Sequence, residues 1–293
     1  MTEIQWNDRL GIGVDQIDNA HKKLFAIINR MIKLNEDPKN QKLICEEGIK
    51  YFKNYTLRHF AEEEAYMQSI GYKKYDLHKR LHENLRSITL PILEQEVIEA
   101  EYSFESVQHF INVCLAWLNQ HILSEDRSIS GRVPIRNDFI CSQDEVHNLA
   151  VTTAESIENI LGLKAQTASE YYRGENIGSS IFYRMTYRIG ADRPVLVYLG
   201  FEEKLILATA KALTGTQVNK AAQIPISAVS DLSKQMIHEI GKHIPQSEDY
   251  KLEKENILSY DLLLKTFQNT YPPYSLLFRT NEGYFVFCIY IKP

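Results

Sequence analysis

The chain has 293 residues, and 33 Lys and Arg against 38 Asp and Glu leave a formal net charge of −5. At about 100–200 residues per domain that length provides for two domains, each burying its own core. Hydrophobic content of 44% and charged content of 24% exclude disordered, collagenous and coiled-coil chains. The mild acidity and the scattered Lys and Arg remove the basic patch that nucleic acid or an anionic membrane would need.

No apolar run approaches the roughly 18 residues of a membrane span, and the opening MTEIQWNDRL lacks a signal pattern. A cytoplasmic location is expected. Cys45, Cys114, Cys141 and Cys288 lie far apart with no CxxC, so reduced thiols are expected rather than disulfides or zinc ligands.

Residues 1–130 read as an all-α up-down four-helix bundle. Ile17, Leu24, Ile27, Ile28, Met31 and Ile32 recur at three- and four-residue steps, the signature of an amphipathic helix. After the polar break NEDPKN a second stripe carries Phe52, Tyr55, His59, Glu63 and Met67, and SIGYKK, with Gly71, ends it. A third run carries His78, Leu81, His82, Leu85 and Ile88. A fourth, from Phe104, carries Val107, Phe110, Ile111, Cys114, Leu118, His121 and Ile122.

Gly131 and Pro134 interrupt the pattern within SEDRSISGRVPIRND, and residues 131–142 are expected to form a linker. From 143 to 293 the pattern is α+β. A helix at about 143–161 is followed by strands in SIFYRMTYRIG and PVLVYLGF, then helices in EKLILATAKALTG and SAVSDLSKQMIHEIGKHI. A strand pair about Asn281-Glu282-Gly283 closes the chain. The sheet is expected to be mostly antiparallel.

The chemistry-bearing residues concentrate in the bundle. His59 and Glu63 are four apart and so project from one helix face, as do His78 and His82. His21 from the first helix and His121 with Asp126 from the last complete a set of five imidazoles and two carboxylates. A single inward histidine is usually a satisfied core residue. Three separated ligand pairs in one bundle are hard to obtain by chance, and burying them without metal costs several kcal/mol per unpaired group, on the order of 2–7.

The set suits two metals. Two six-coordinate irons need about twelve positions. Five imidazoles, two bridging carboxylates and a shared oxo or hydroxo group fill all but one, and a three-and-two split of the imidazoles puts the vacancy on the metal with two. A histidine-rich site stabilises high-valent states less than a carboxylate-rich one, which points to reversible O2 binding. One geometric difficulty stands out. His121 to Asp126 is a five-residue step, about 140° apart on an ideal helix, so the aspartate must sit at an irregular helix end.

These residues carry a resemblance to the hemerythrin family in its bacterial form: Trp6, GVDQIDNAH ending at His21, HFAEEEAYM (59–67), His78-KRL-His82 and WLNQHILSED (117–126). The resemblance implies that His78, His82 and His121 hold one iron and His21 and His59 the other. It also implies that Glu63 and Asp126 bridge and that O2 binds end-on at the two-histidine iron, held as hydroperoxide. Nitric oxide would compete for the same position. Glu62 and Glu64 are expected on the solvated helix surface, Trp6 and Trp117 as packing residues, and Cys114 as a core thiol.

Residues 143–293 contain no nucleophile–base pair, phosphate loop or dinucleotide fingerprint. Their element order resembles, diffusely, the chemotaxis phosphatases of the CheX and CheC type, in which a helix presents Glu-x-x-Asn to a response-regulator receiver domain. Here Asp231 stands at the acid position and Lys234 at the amide, and the shifted pair Glu239 and Lys242 also ends in Lys. Lysine cannot accept a hydrogen bond from the attacking water, so receiver binding or homodimer formation is expected rather than catalysis. The chain as a whole then reads as an O2 sensor coupled to chemotaxis. An O2 carrier whose second domain sets oligomeric state, and an O2-gated aspartyl-phosphate phosphatase acting through Asp231, are the alternatives.

Overall fold

The computed structural model describes residue 6 and residues 10–36, 41–132, 142–189, 193–214, 226–241, 250–269 and 271–291. The chain divides into two units, Met1–Asn137 and Asp138–Pro293.

The first unit is a four-helix bundle. Its helices are α1 (Asp15–Asn35), α2 (Gln41–Ser69), a third made of α3 (Tyr75–Asn84) and α4 (Leu90–Glu99), and α5 (Phe104–His121). Ser103 caps α5 by accepting from Ser106 N, and Asp18 receives the Ile12 and Gly13 amides, fixing the entry to α1. Leu24, Ile28, Phe52, Phe60, Leu85, Val107, Phe110 and Leu118 form one buried core.

Two π-helical turns interrupt the regular geometry. Leu85–Thr89 joins α3 to α4, and Ile122–Asp126 joins α5 to the short α6 (Arg127–Ile129). The first was not expected from the sequence. It advances the buried stripe by one residue, so Thr89 is buried and the expected core residue Ile88 is only half-buried. The second supplies the irregular helix end that Asp126 requires.

The second unit is an antiparallel six-stranded sheet in the order β1-β5-β6-β3-β2-β4. The strands are β1 (Ala165–Ser169), β2 (Ser180–Ile189), β3 (Arg193–Glu202), β4 (Tyr250–Leu258), β5 (Tyr274–Thr280) and β6 (Gly283–Ile291). Side chains alternate between its faces. On one face Met185, Val197, Leu199, Phe201, Phe285 and Phe287 pack with residues of α7 (Gln143–Leu161), α8 (Glu203–Thr214) and α9 (Ile226–Gly241). On the other, Phe182 and Tyr198 meet Tyr260 and Phe267 of α10 (Tyr260–Asn269). A full capping box, Ser142 with Glu145, starts α7, and Gly162 at φ 67° ends it.

β1, β4 and α10 escaped the sequence pattern. Four of the nine residues of β4, YKLEKENIL, are charged. It is an edge strand, and charge there blocks pairing with other chains while masking the strand signal. Among the described residues no helix is long and apolar enough to cross a membrane.

Candidate metal centre

Each of the four helices of the bundle delivers part of one buried cluster. His21 comes from α1, His59 and Glu63 from α2, His78 and His82 from α3, His121 from the end of α5, and Asp126 from the π turn. Each of the seven is at most 2% exposed.

The Nε2 atoms of His78, His82 and His121 form a triangle with sides of 3.2, 3.0 and 3.0 Å. Glu63 Oε2 lies 3.3 Å from His82 Nε2, 3.6 Å from His78 Nε2 and 3.8 Å from His59 Nε2. Asp126 turns Oδ1 toward His121 and His78, at 3.0 and 3.4 Å, and Oδ2 toward His21 Nε2 at 3.2 Å. Two ligand groups result, Glu63 with His78, His82 and His121, and Glu63 with His21 and His59. Glu63 belongs to both.

Stacked rings hold the imidazoles in place. Phe60 lies parallel to His82 at 3.8 Å, and Trp117 covers His121 at 4.3 Å. Trp6 stacks over His21 at 6.3 Å. Both tryptophans are packing residues, and what they pack against is the ligand cluster. Cys114 is a buried core thiol whose ionisation is pushed up by burial.

The comparisons with known proteins fall on the two halves of the chain separately. Residues 12–133 match the family described as "Hemerythrin HHE cation binding domain". A bacteriohemerythrin of Clostridium acetobutylicum is 35% identical over 127 residues, which make up 42% of this chain and 95% of that relative. The chain belongs to the hemerythrin family. A bacteriohemerythrin of Stenotrophomonas maltophilia is 29% identical, covering 45% of this chain and 83% of its own length. A myohemerythrin of Theromyzon tessulatum is 26% identical, over 44% and 92%.

The C-terminal half is similar to a different set of proteins. The chemotaxis protein CheX of Vibrio vulnificus covers 50% of this chain and 99% of its own, at 12% identity and a TM-score of 0.38. A CheC-like superfamily protein of Shewanella covers 52% and 100%, at 10% identity and a TM-score of 0.37.

The donor set of the hemerythrin unit fits a pair of metal ions. Neither oxygen of Glu63 or Asp126 has a hydrogen-bond partner, nor do both nitrogens of His21 or the Nδ1 atoms of His59, His78 and His121. Buried polar atoms are seldom left in that state without another occupant. Neighbouring ligands of an octahedral ion about 2.1 Å from each nitrogen are separated by about 3.0 Å, and the imidazole triangle has that edge. Burial holds His59 and His121 at about 4, so both are neutral donors at neutral pH. Burial and Asp126 push Glu63 upward, but the surrounding imidazoles outweigh them and keep it ionised.

Glu64 was expected on the solvated surface, and the structure corrects that. His82 Nδ1 donates to Glu64 Oε1 at 3.1 Å, and the Glu64 side chain is only 16% exposed. Glu64 lies one residue, about 100°, round α2 from Glu63, and only the register of α2 against α3 brings it to His82. Glu62 stays on the outer face, paired with Arg58.

In the second unit Asp231 and Lys234 lie on α9. Asp231 is exposed. Lys234 Nζ donates to Glu255 on β4, 3.2 Å from Oε1 and 3.1 Å from Oε2, beside Ser230. Glu239 is on the same helix, half-buried, while Lys242 and Cys141 lie outside the described residues.

Proposed function

We propose that the hemerythrin unit is an O2-binding non-haem di-iron centre and that the chain is an oxygen sensor. In this reading His78, His82 and His121 hold one iron, His21 and His59 hold the other, and Glu63 and Asp126 bridge them with an oxo or hydroxo group. The observation that carries it is Glu63, shared by the two ligand groups while the oxygens of Asp126 face opposite sides. The iron pair, when bound, supplies reversible electron transfer to a small ligand such as O2 or nitric oxide at its open position. The protein's share is to keep the ligands buried, with Phe60, Trp117 and Trp6 stacked against their rings to exclude water from the cluster.

The sensor reading rests on the attached unit. The Clostridium relative is matched over 95% of its length by 42% of this chain, so a second unit has been added to a hemerythrin that is otherwise nearly whole. The bridging Asp126 stands six residues before Arg132, which donates from Nη1 to Gly11 O and precedes the junction between the units. In this reading a change at the centre is passed to the α+β unit along the chain that follows Asp126. In that unit we infer docking to a response-regulator receiver rather than phosphatase chemistry. Lys234, committed to Glu255, offers no acceptor to a water molecule.

The experiment is the visible spectrum of anaerobically reduced, iron-loaded protein before and after air. Bands that develop in air and reverse under vacuum establish O2 binding. Irreversible conversion to the ferric form, or less than stoichiometric iron, overturns it. Hydrogen exchange in residues 138–293, compared between oxygen-free and oxygenated protein, tests the coupling. Identical exchange removes the sensor reading, because a ligand without differential affinity shifts no equilibrium.

A further inference from the structure

Glu64 distinguishes one imidazole of the cluster from the other four. The Nδ1 atoms of His21, His59, His78 and His121 have no hydrogen-bond partner. His82 alone among the five has a carboxylate on its Nδ1. Because a carboxylate only accepts, His82 must carry a proton on Nδ1, so in the neutral ring that a metal takes up Nε2 is a bare lone pair. That lone pair points into the triangle with His78 and His121. Phe60, parallel to the ring at 3.8 Å, stops it from turning away.

The geometry points to Glu64 as the positioning residue that sets the electron-donating strength of one side of the centre, and with it the ease of oxidation of that metal ion. The inference rests on the di-iron reading and deepens it. A negative carboxylate against Nδ1–H draws the proton outward and makes Nε2 a stronger donor, and a stronger donor favours the more highly charged ion. Position matters as much as charge here. Glu64 lies on the three-imidazole side, so its charge acts on the metal ion already better supplied with donors. On the other side the Nδ1 atoms of His21 and His59 have no such partner. The acidic run at 62–64 therefore divides three ways: Glu62 serves the surface, Glu63 the metals, and Glu64 the histidine.

The measurement uses the full chain, loaded with iron, and compares wild type with Glu64→Gln and Glu64→Ala. Glutamine keeps an oxygen that accepts from Nδ1 but removes the charge, whereas alanine removes both. Iron content is measured first, and wild type must hold two irons per chain. The potential of the ferric/ferrous couple is then titrated against mediator dyes. The expected result is full iron content in Glu64→Gln with a higher potential, the ferric-to-ferrous ratio at fixed potential falling about tenfold, or about 59 mV for a one-electron step. Glu64→Ala should show the same shift together with iron affinity weakened about 10–100-fold in chelator competition. The metal-free proteins should melt together. A potential in Glu64→Gln equal to wild type, with only Glu64→Ala weakened, would make Glu64 a mere prop and overturn the charge role. Wild type without iron would instead overturn the site reading itself, so the two failures are told apart.

Discussion

His121 Nε2 lies 3.0 Å from Asp126 Oδ1 although five residues separate them. A regular α-helix would set them about 140° apart. The π turn Ile122–Asp126 closes that gap, since its i→i+5 pattern makes a five-residue step equivalent to the four-residue steps His59–Glu63 and His78–His82. A π turn is in effect one residue inserted into an α-helix.

Deleting Leu123, which is 39% exposed, should therefore convert the segment to an α turn and leave the aspartate facing His121. The expected outcome is two irons per chain by elemental analysis, as in wild type. Loss of iron would show that the wide turn itself, rather than the angular phase it creates, places Asp126.

The convergence of these seven residues was legible because most of them recur at helical spacing, and a four-residue step fixes a shared face before any tertiary contact is known. Even the irregular end near Asp126 followed from angular arithmetic. Glu64 and the π turn at Leu85–Thr89 were not legible. The first depends on the register between two helices, and the second on how a long helix relieves its packing, and neither leaves a local pattern. In the second unit the alternating strands β2, β3, β5 and β6 announced themselves. The charged edge strand β4 did not, and α10, at ten residues, falls short of the window in which helical periodicity emerges.

Glu63 serves both ligand groups, so Glu63→Ala should empty the whole centre and not one half of it. Iron per chain should fall below about a tenth of the wild-type value. Wild type stripped with a chelator should melt at least about 10 °C lower than the loaded protein. A ligand at about a thousand times its dissociation constant contributes about 4 kcal/mol, and a unit of this size loses several degrees per kcal/mol. Calorimetry of the loaded and stripped protein checks it. Retention of one iron in Glu63→Ala would mean that the groups are independent.

Gly200 pairs with Phe182 on β2 and Val286 on β6, and a Cβ there would lie 2.6 Å from Phe182 Cε1 and 2.9 Å from Val286 Cβ. The aromatic ring fills the space a side chain would need, with Tyr260 of α10 stacked beyond it. Gly200→Ala should destabilise the α+β unit by about 1–3 kcal/mol through overpacking while leaving iron content unchanged. Denaturant melts followed by tryptophan fluorescence would miss this, because Trp6 and Trp117 both lie in the first unit. Far-UV circular dichroism is the appropriate probe.

Glu175 is a buried carboxyl in the loop before β2, with Oε2 accepting from Arg173 N at 2.8 Å and Oε1 without a hydrogen bond. Burial pushes it up to about 7, against the partial opposition of backbone amides and Arg173. An unfolded glutamate titrates at about 4.3. Between these values the unfolded chain is ionised while the folded one holds its proton, so stability falls as pH rises. The contribution is whole below about pH 4.3, declines by about 1.4 kcal/mol per pH unit, and is gone above about pH 7, a total of roughly 4 kcal/mol. Glu175→Gln keeps an oxygen for Arg173 N and cannot ionise. It should match wild type near pH 4.5 and exceed it by about 4 kcal/mol at pH 8 in urea melts followed by circular dichroism. Parallel stability curves for the two proteins across that range would mean that the carboxyl is ionised in the folded state.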